Sequence, residues 1–101
     1  MKIFISQPMN GKTYDEIISE RIRLTNLIKE KFSDENITFI HSFVEMIPRK
    51  NASLFFLARS LELLSNADFA VFAKEWKDYR GCRIEHLCCK EYGIPIWIEN
   101  S

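Results

Sequence analysis

The chain has no net charge, since 14 Lys and Arg balance 14 Asp and Glu. Without an overall field of either sign, binding to nucleic acid or to an anionic membrane surface is not expected, although a local cluster can still hold a phosphate. No apolar run approaches the roughly 18 residues that span a bilayer, so no membrane partner is expected either. The opening MKIFIS has only three apolar residues between Lys2 and Ser6, far short of the apolar region of a signal peptide. Cysteine is scarce: Cys82, Cys88 and Cys89 are odd in number and lie close together, which does not resemble a secreted disulfide framework. These absences point to a reducing cytoplasm. Internal repeats, low-complexity stretches and a second composition are also missing, so residues 1–101 read as a single domain.

What is present is a core. The apolar fraction of 47% and eight Phe are those of a well-packed domain. At 101 residues it is large enough for one core but small for an enzyme that encloses a substrate. Association into a homodimer or higher homo-oligomer would extend that core and is expected.

Residues 2–5, Lys-Ile-Phe-Ile, are too apolar for a one-sided strand and predict a central strand buried on both faces. The loop Ser6-Gln7-Pro8-Met9-Asn10-Gly11-Lys12 follows, with Pro8 and Asn10-Gly11 as turn formers. Thr13-Tyr14-Asp15-Glu16 has the form of a capping box opening a helix to about Phe32. Its apolar positions Tyr14, Ile17, Ile18, Leu24, Leu27 and Ile28 keep helical spacing, broken at Arg21, while Glu20, Arg23, Lys29 and Glu30 form a solvated face. After the polar break 33–36, Ile37 to Ile40 reads as a second strand. Residues 42–51 have no sustained period and read as a loop able to fold over a pocket.

Asn51 or Ser53 caps a second helix whose Leu54, Leu57, Leu61 and Leu64 share one face. Asp68 to Ala73 is a third strand, Lys74 to Tyr79 a connecting loop, and a third helix runs from Arg80 or Gly81 to Tyr92, with Gly93 closing it. Ile94 to Ile98 is the last strand, placed at a sheet edge because Pro95 lacks a backbone donor. Short apolar strands alternating with amphipathic helices predict an α/β three-layer sandwich of the flavodoxin-like or Rossmann-like kind, with a four-stranded parallel sheet of order 2-1-3-4. That order puts the topological switch between strands one and three. The loops 6–12 and 74–80 then flank one crevice, where ligands of such sheets bind.

Glu85 is the residue of most interest there. With the helix starting near Gly81, positions 81, 84, 85, 88 and 92 share a face of Gly, Ile, Cys and Tyr, on which a carboxylate is out of place. It reads either as a functional group or as a boundary residue paired with Arg83, Arg80 or Lys12. Proximity to the positive end of the helix favours the ionised form, provided burial does not raise its pKa by more. An ionised carboxylate is what attack on an anomeric carbon needs.

The combination of KIFISQPMNG, Asn66-Ala67-Asp68 before the third strand, and Gly81-Cys82-Arg83-Ile84-Glu85 followed by Gly93-Ile94-Pro95 resembles the nucleoside 2-deoxyribosyltransferase superfamily. It looks closest to the small branch described as domain of unknown function 4406. The resemblance covers nearly the whole chain. It implies that Glu85 attacks C1′ of a 2-deoxyribosyl group and displaces the base, leaving a glycosyl enzyme that another base or water resolves. It further implies that Ser6, Gln7, Pro8, Met9, Asn10 and Gly11, together with Tyr79, Arg80, Gly81, Cys82 and Arg83, hold the sugar and, in nucleotide-using members, the 5′-phosphate. The small-molecule partner would be a nucleoside or nucleotide, with no cofactor and no metal. Relatives also build the pocket partly from a neighbouring subunit. Catalytic members carry an Asp where this chain has Ser60 and a Tyr where it has Ile3. Ser60 could still bind a substrate, but a hydroxyl does not do a carboxylate's acid/base work near neutral pH. The rival reading is a non-catalytic module that binds a nucleotide-like metabolite in the same pocket.

Other residues carry weaker signals. Cys82, His86 and Cys89 share a helix face and could offer three zinc ligands, or the cysteines could fill space against the sheet. Cys82, near a helix N-terminus, could have a lowered pKa. His41 falls at the end of the second strand, within reach of the pocket or simply in a solvated loop. Trp76 and Tyr79 could stack on a base or pack at a subunit interface. Lys12, Arg49 and Lys50 read as ordinary surface charge, with phosphate contact as the alternative.

Overall fold

A computed structural model describes residues 1–33, 36–40 and 50–99. The elements run β1 (Lys2–Ser6), α1 (Tyr14–Lys31), β2 (Thr38–Phe39), α2 (Ala52–Leu64), β3 (Phe69–Phe72), a 3-10 turn (Trp76–Asp78), α3 (Arg80–Tyr92) and β4 (Ile96–Ile98). The sheet is parallel throughout, in the order β2-β1-β3-β4. The fold is the expected Rossmann-like α/β arrangement. The expected lid, 42–51, together with His41 and Arg49, falls almost wholly outside the described residues.

Alternation along the strands sorts the core into two layers. Ile3 and Ile5 of β1 and Val71 of β3 pack with Leu24 and Ile28 of α1, while Phe4, Ala70 and Phe72 pack with Leu64 of α2 and Cys89 of α3. Ile3, Phe4 and Ile5 are each at most 1% exposed. Burying side chains of this size stabilises by about 1.5–3 kcal/mol apiece, so β1 carries a large share of the core. At its start, Asp68 ties β3 to β1, accepting the Lys2 backbone N–H at 2.8 Å and donating its own N–H to the Lys2 carbonyl. The Asp of the Asn66-Ala67-Asp68 signature therefore serves the edge of the sheet opposite the crevice.

The helix ends follow their capping chemistry. Thr13 Oγ1 accepts from Glu16 N, and Glu16 Oε1 accepts from Thr13 N. Asn51, not Ser53, caps α2 through its side chain. Gly93 ends α3 at φ 73°, the left-handed conformation that a side chain disfavours.

Several boundaries differ from expectation. Ser6 is the last residue of β1, not the first of the loop, because it pairs with Phe72 and accepts from Ala73 N. β2 contracts to two residues and β4 starts after Pro95, whose carbonyl still accepts from Ala70. Tyr14 and Leu54 are 63% and 59% exposed, since the stripe of α1 that reaches the sheet begins a turn later, and only Leu64 of α2 is fully buried. The buried stripe of α3 is Cys82, Glu85 and Cys89; Tyr92, expected on the Glu85 face, is exposed.

Arg23 is also reassigned. Its guanidinium holds Glu99, just past β4, through Nη1 and Nη2, while Glu20 braces it from one turn away. Glu99 is only 6% exposed and also accepts from Lys74 N. These contacts pull its pKa down, the Arg23 hydrogen bond most. A carboxylate with a depressed pKa contributes stability above the ordinary carboxylate range and loses it as pH falls through that range. Arg23→Ala is therefore expected to cost about 2 kcal/mol at pH 7, less than a fully buried pair because Arg23 is partly solvated. Urea melts should show that deficit shrinking at pH 3; an equal deficit at both pH values would contradict it.

Candidate functional site

The site lies where the C-terminal ends of β1 and β3 part. Ser6 belongs to the β1 positions that face α3, and α3 is packed so that Glu85 lies against it. The Ser6 hydroxyl donates to Glu85 Oε1 at 2.6 Å, with both residues buried. Gln7, one residue on, points to the α1 side. There its side-chain amide donates to the Ile17 carbonyl at 3.0 Å and its Oε1 accepts from Arg21 Nε. Arg21 thus comes over the sheet edge from α1 and acts on Glu85 as the nearby positive charge.

The result is a polar group of buried Ser6, Gln7 and Glu85 with half-buried Arg21, set in an apolar sheet. Glu85 is 7% exposed, and desolvation raises its pKa to about 7, against the opposing pull of the Ser6 hydrogen bond and of Arg21. Burial therefore outweighs the helix dipole. The reason is positional: Glu85 is the sixth residue of α3, and the dipole's influence fades beyond the first turn. Burial likewise lowers the Arg21 pKa, with Glu85 opposing it. Near neutrality the carboxyl is poised between a proton donor and an ionised nucleophile or base.

Glu85 faces neither Lys12, Arg80 nor Arg83 as its ion partner. Arg83 turns away to donate to the Lys77 carbonyl at 2.8 Å, Arg80 is exposed, and Lys12 is exposed beyond the turn in which its N–H reaches the Met9 carbonyl. Of the expected first loop, Ser6, Gln7 and Pro8 are buried, Met9 is half-buried, and Asn10 and Gly11 are exposed, with Gly11 at φ 79° making the turn. Tyr79 precedes α3 and accepts from Arg83 N; Gly81 lies in the first helical turn. The structure therefore gathers Ser6, Gln7 and Glu85 into one cluster and leaves Asn10, Gly11, Arg80 and Arg83 on its rim.

Ser60 lies half-buried on α2, without a hydrogen-bond partner among the described residues. Ile3 is fully buried on the α1 face, turned away from Ser6.

The other candidates resolve into packing. Cys82 is buried beside Ser6, and desolvation drives its thiol up to about 11, the reverse of the lowering expected at a helix start. Cys89 sits in the core with its thiol also at about 11. His86 stacks on Trp76 with ring centroids 3.9 Å apart and packs against Phe72. Among the described residues, no three His, Cys, Asp or Glu side chains are grouped to hold a metal ion. Likewise, no described helix is long and apolar enough to cross a membrane. An open cleft of about 490 Å³ bounded by Lys50, Asn51, Leu54, Phe55 and Ala58 lies on α2 and includes none of the site residues.

Sequence reading missed two residues. Arg21 left a signal, the break in the apolar stripe of α1, which marks a charge held on the core-facing side. Glu99 left none beyond its place after a strand. No family model, curated protein or solved structure matches the chain.

The sign of the Glu85 effect on stability follows from its raised pKa. Between the usual 4.5 and about 7 the unfolded chain loses its proton while the folded one keeps it, so stability falls with rising pH and the full cost is present above 7. That cost is on the order of 3 kcal/mol. Glu85→Gln, which still accepts from Ser6, should therefore stabilise at pH 8 by up to about that amount and change little at pH 4.5. Urea unfolding at the two pH values checks this; an unchanged pH-8 midpoint would contradict it.

Proposed function

We propose that the chain is a nucleoside 2-deoxyribosyltransferase-like protein acting on the N-glycosidic bond of a nucleoside or nucleotide, with Glu85 as the nucleophile. The observation that carries this reading is the buried Ser6–Glu85 hydrogen bond at the switch point of the sheet. Ser6 holds Oε1 and leaves Oε2 to form the bond to C1′. Arg21 favours the ionised state that this attack requires.

Two further features support a nucleotide-like ligand. α3 follows Tyr79 at its N-cap position with no side-chain cap and no acidic residue in its first turn, so its first amides and the exposed Arg80 are suited to an anion such as a 5′-phosphate. A Cβ at Gly81 would meet nothing within 4 Å, so this glycine is not required by packing within the chain and leaves room for close approach from outside.

The second reading is a binding module with the same pocket and no turnover. It is favoured by Ile3, which lies on the wrong face of β1 to assist Glu85, and by Ser60, whose hydroxyl is no general acid near pH 7.

Incubation with deoxynucleosides and their 5′-monophosphates, followed by chromatography of free base, tests the enzyme reading. Wild type should release base, and Glu85→Ala should lower the rate by at least about 10³-fold. Below about pH 7, kcat/KM should climb with the ionised fraction of Glu85 and then level off. Nucleotide-induced thermal stabilisation with no released base would instead establish the module. Homodimeric or higher association belongs to the same proposal, since α2 carries an apolar sequence yet buries only Leu64 fully among its own residues. Light scattering at micromolar concentration should give at least twice the 12.0 kDa chain mass; a monomer mass would contradict it.

A further inference from the structure

Gln7 is 5% exposed, and its side chain is committed to α1 at both ends of the amide. Nε2 donates to the Ile17 carbonyl and Oε1 accepts from Arg21 Nε. A carbonyl only accepts and an arginine nitrogen only donates, so a single orientation of the amide satisfies both partners. Ile17 and Arg21 are one turn apart on α1, and Gln7 therefore spans that turn. The guanidinium is planar, so an anchor at Nε fixes the plane in which its two terminal nitrogens lie.

The chemistry of this anchor separates Arg21 from Arg23. Arg23 is gripped by the carboxylates of Glu20 and Glu99, which offset its charge where it stands. Gln7 holds Arg21 with a neutral acceptor and does not itself cancel the charge of the guanidinium. It also directly follows Ser6, whose hydroxyl fixes Glu85 Oε1 from the other face of the sheet. One dipeptide thus meets the carboxyl with its first residue and the cation with its second.

We propose that Gln7 is a positioning residue that keeps the Arg21 guanidinium at the sheet edge beside Glu85 and, through it, sets the charge state of that carboxyl. This applies whether the site turns a ligand over or only binds one, so it does not depend on Glu85 being a nucleophile. Beside the Ser6 hydroxyl, the described groups that act on Glu85 are Arg21 from α1 and Cys82 and Cys89 of its own helix. Both thiols titrate near 11 and stay neutral while Glu85 titrates, so Arg21 is the charge through which Gln7 acts.

The test follows the Glu85 side-chain carboxyl of the whole chain by carbon-13 NMR across about pH 5–9, its resonance assigned by its loss in Glu85→Gln. Gln7→Met fills similar space without a hydrogen-bonding group and releases Arg21 from this anchor. Its Glu85 midpoint should lie above the wild-type value by about 0.5 or more, since a cation fully in place beside a carboxylate lowers its pKa by about 1–3. Gln7→Asn keeps an amide but is one methylene too short to span both partners, and it should raise the midpoint too, which a role in polarity alone does not predict. In an Arg21→Met background, whose own midpoint is raised, Gln7→Met should add nothing further. A wild-type midpoint in either Gln7 variant overturns the proposal, as does an equal rise with Arg21 present and absent.

Discussion

One buried hydrogen bond organises the functional end of this molecule. Ser6 closes β1, a strand buried on both faces, and its hydroxyl meets the carboxyl that α3 brings down onto it. The contact exists because the 2-1-3-4 order parts β1 from β3 at their C-terminal ends, so a side chain from the helix after β3 can reach the tip of β1. Gln7 extends the link to α1, and Arg21 brings a positive charge to the same gap from the other side of the sheet. Two helices on opposite faces are thereby joined through Ser6, the last residue of β1, and Gln7, which follows it.

Two carboxylates are buried among the described residues, Glu85 and Glu99, and their surroundings drive them in opposite directions. Glu99 is held by both terminal nitrogens of Arg23 and by a backbone N–H, and its ionised form is favoured. Glu85 receives one hydroxyl and a more distant charge, and desolvation wins. A carboxylate fastened by two charge-assisted bonds is a structural clamp. One left with a pKa near neutrality and an uncommitted oxygen is the kind of group that active sites maintain at a cost in stability.

Much of this was legible in the residues. The both-sided apolar runs of β1 and β3, the Thr13–Glu16 box and the Gly93 stop predict the elements, and alternation with helices predicts the sheet order. Glu85 stood out as a carboxylate on an apolar face, and Ser6 and Gln7 lay in the loop expected to meet it. The rest depends on three-dimensional packing. The stripe of α3 settles on Cys82, Glu85 and Cys89 because the helix rolls to place small sulfur-bearing side chains on the sheet, which a wheel drawn from Gly81 does not reveal. The extent of desolvation at Glu85 depends on how deeply α3 seats it against Ser6, so the sequence suggests an ionised group where the fold makes one that titrates near 7. The Arg23–Glu99 clamp joins residues 76 positions apart and has no local signature.

The central claim, that Glu85 bonds covalently to a sugar, is tested most directly by trapping. A 2-deoxy-2-fluoro nucleoside with an activated leaving base slows both steps through the electron-poor anomeric carbon, and the second more than the first. Intact mass spectrometry should show the chain gain one fluoroglycosyl group, and peptide mapping should place it on Glu85. An unmodified chain at full exposure to the probe, or an adduct on any other residue, would contradict the account.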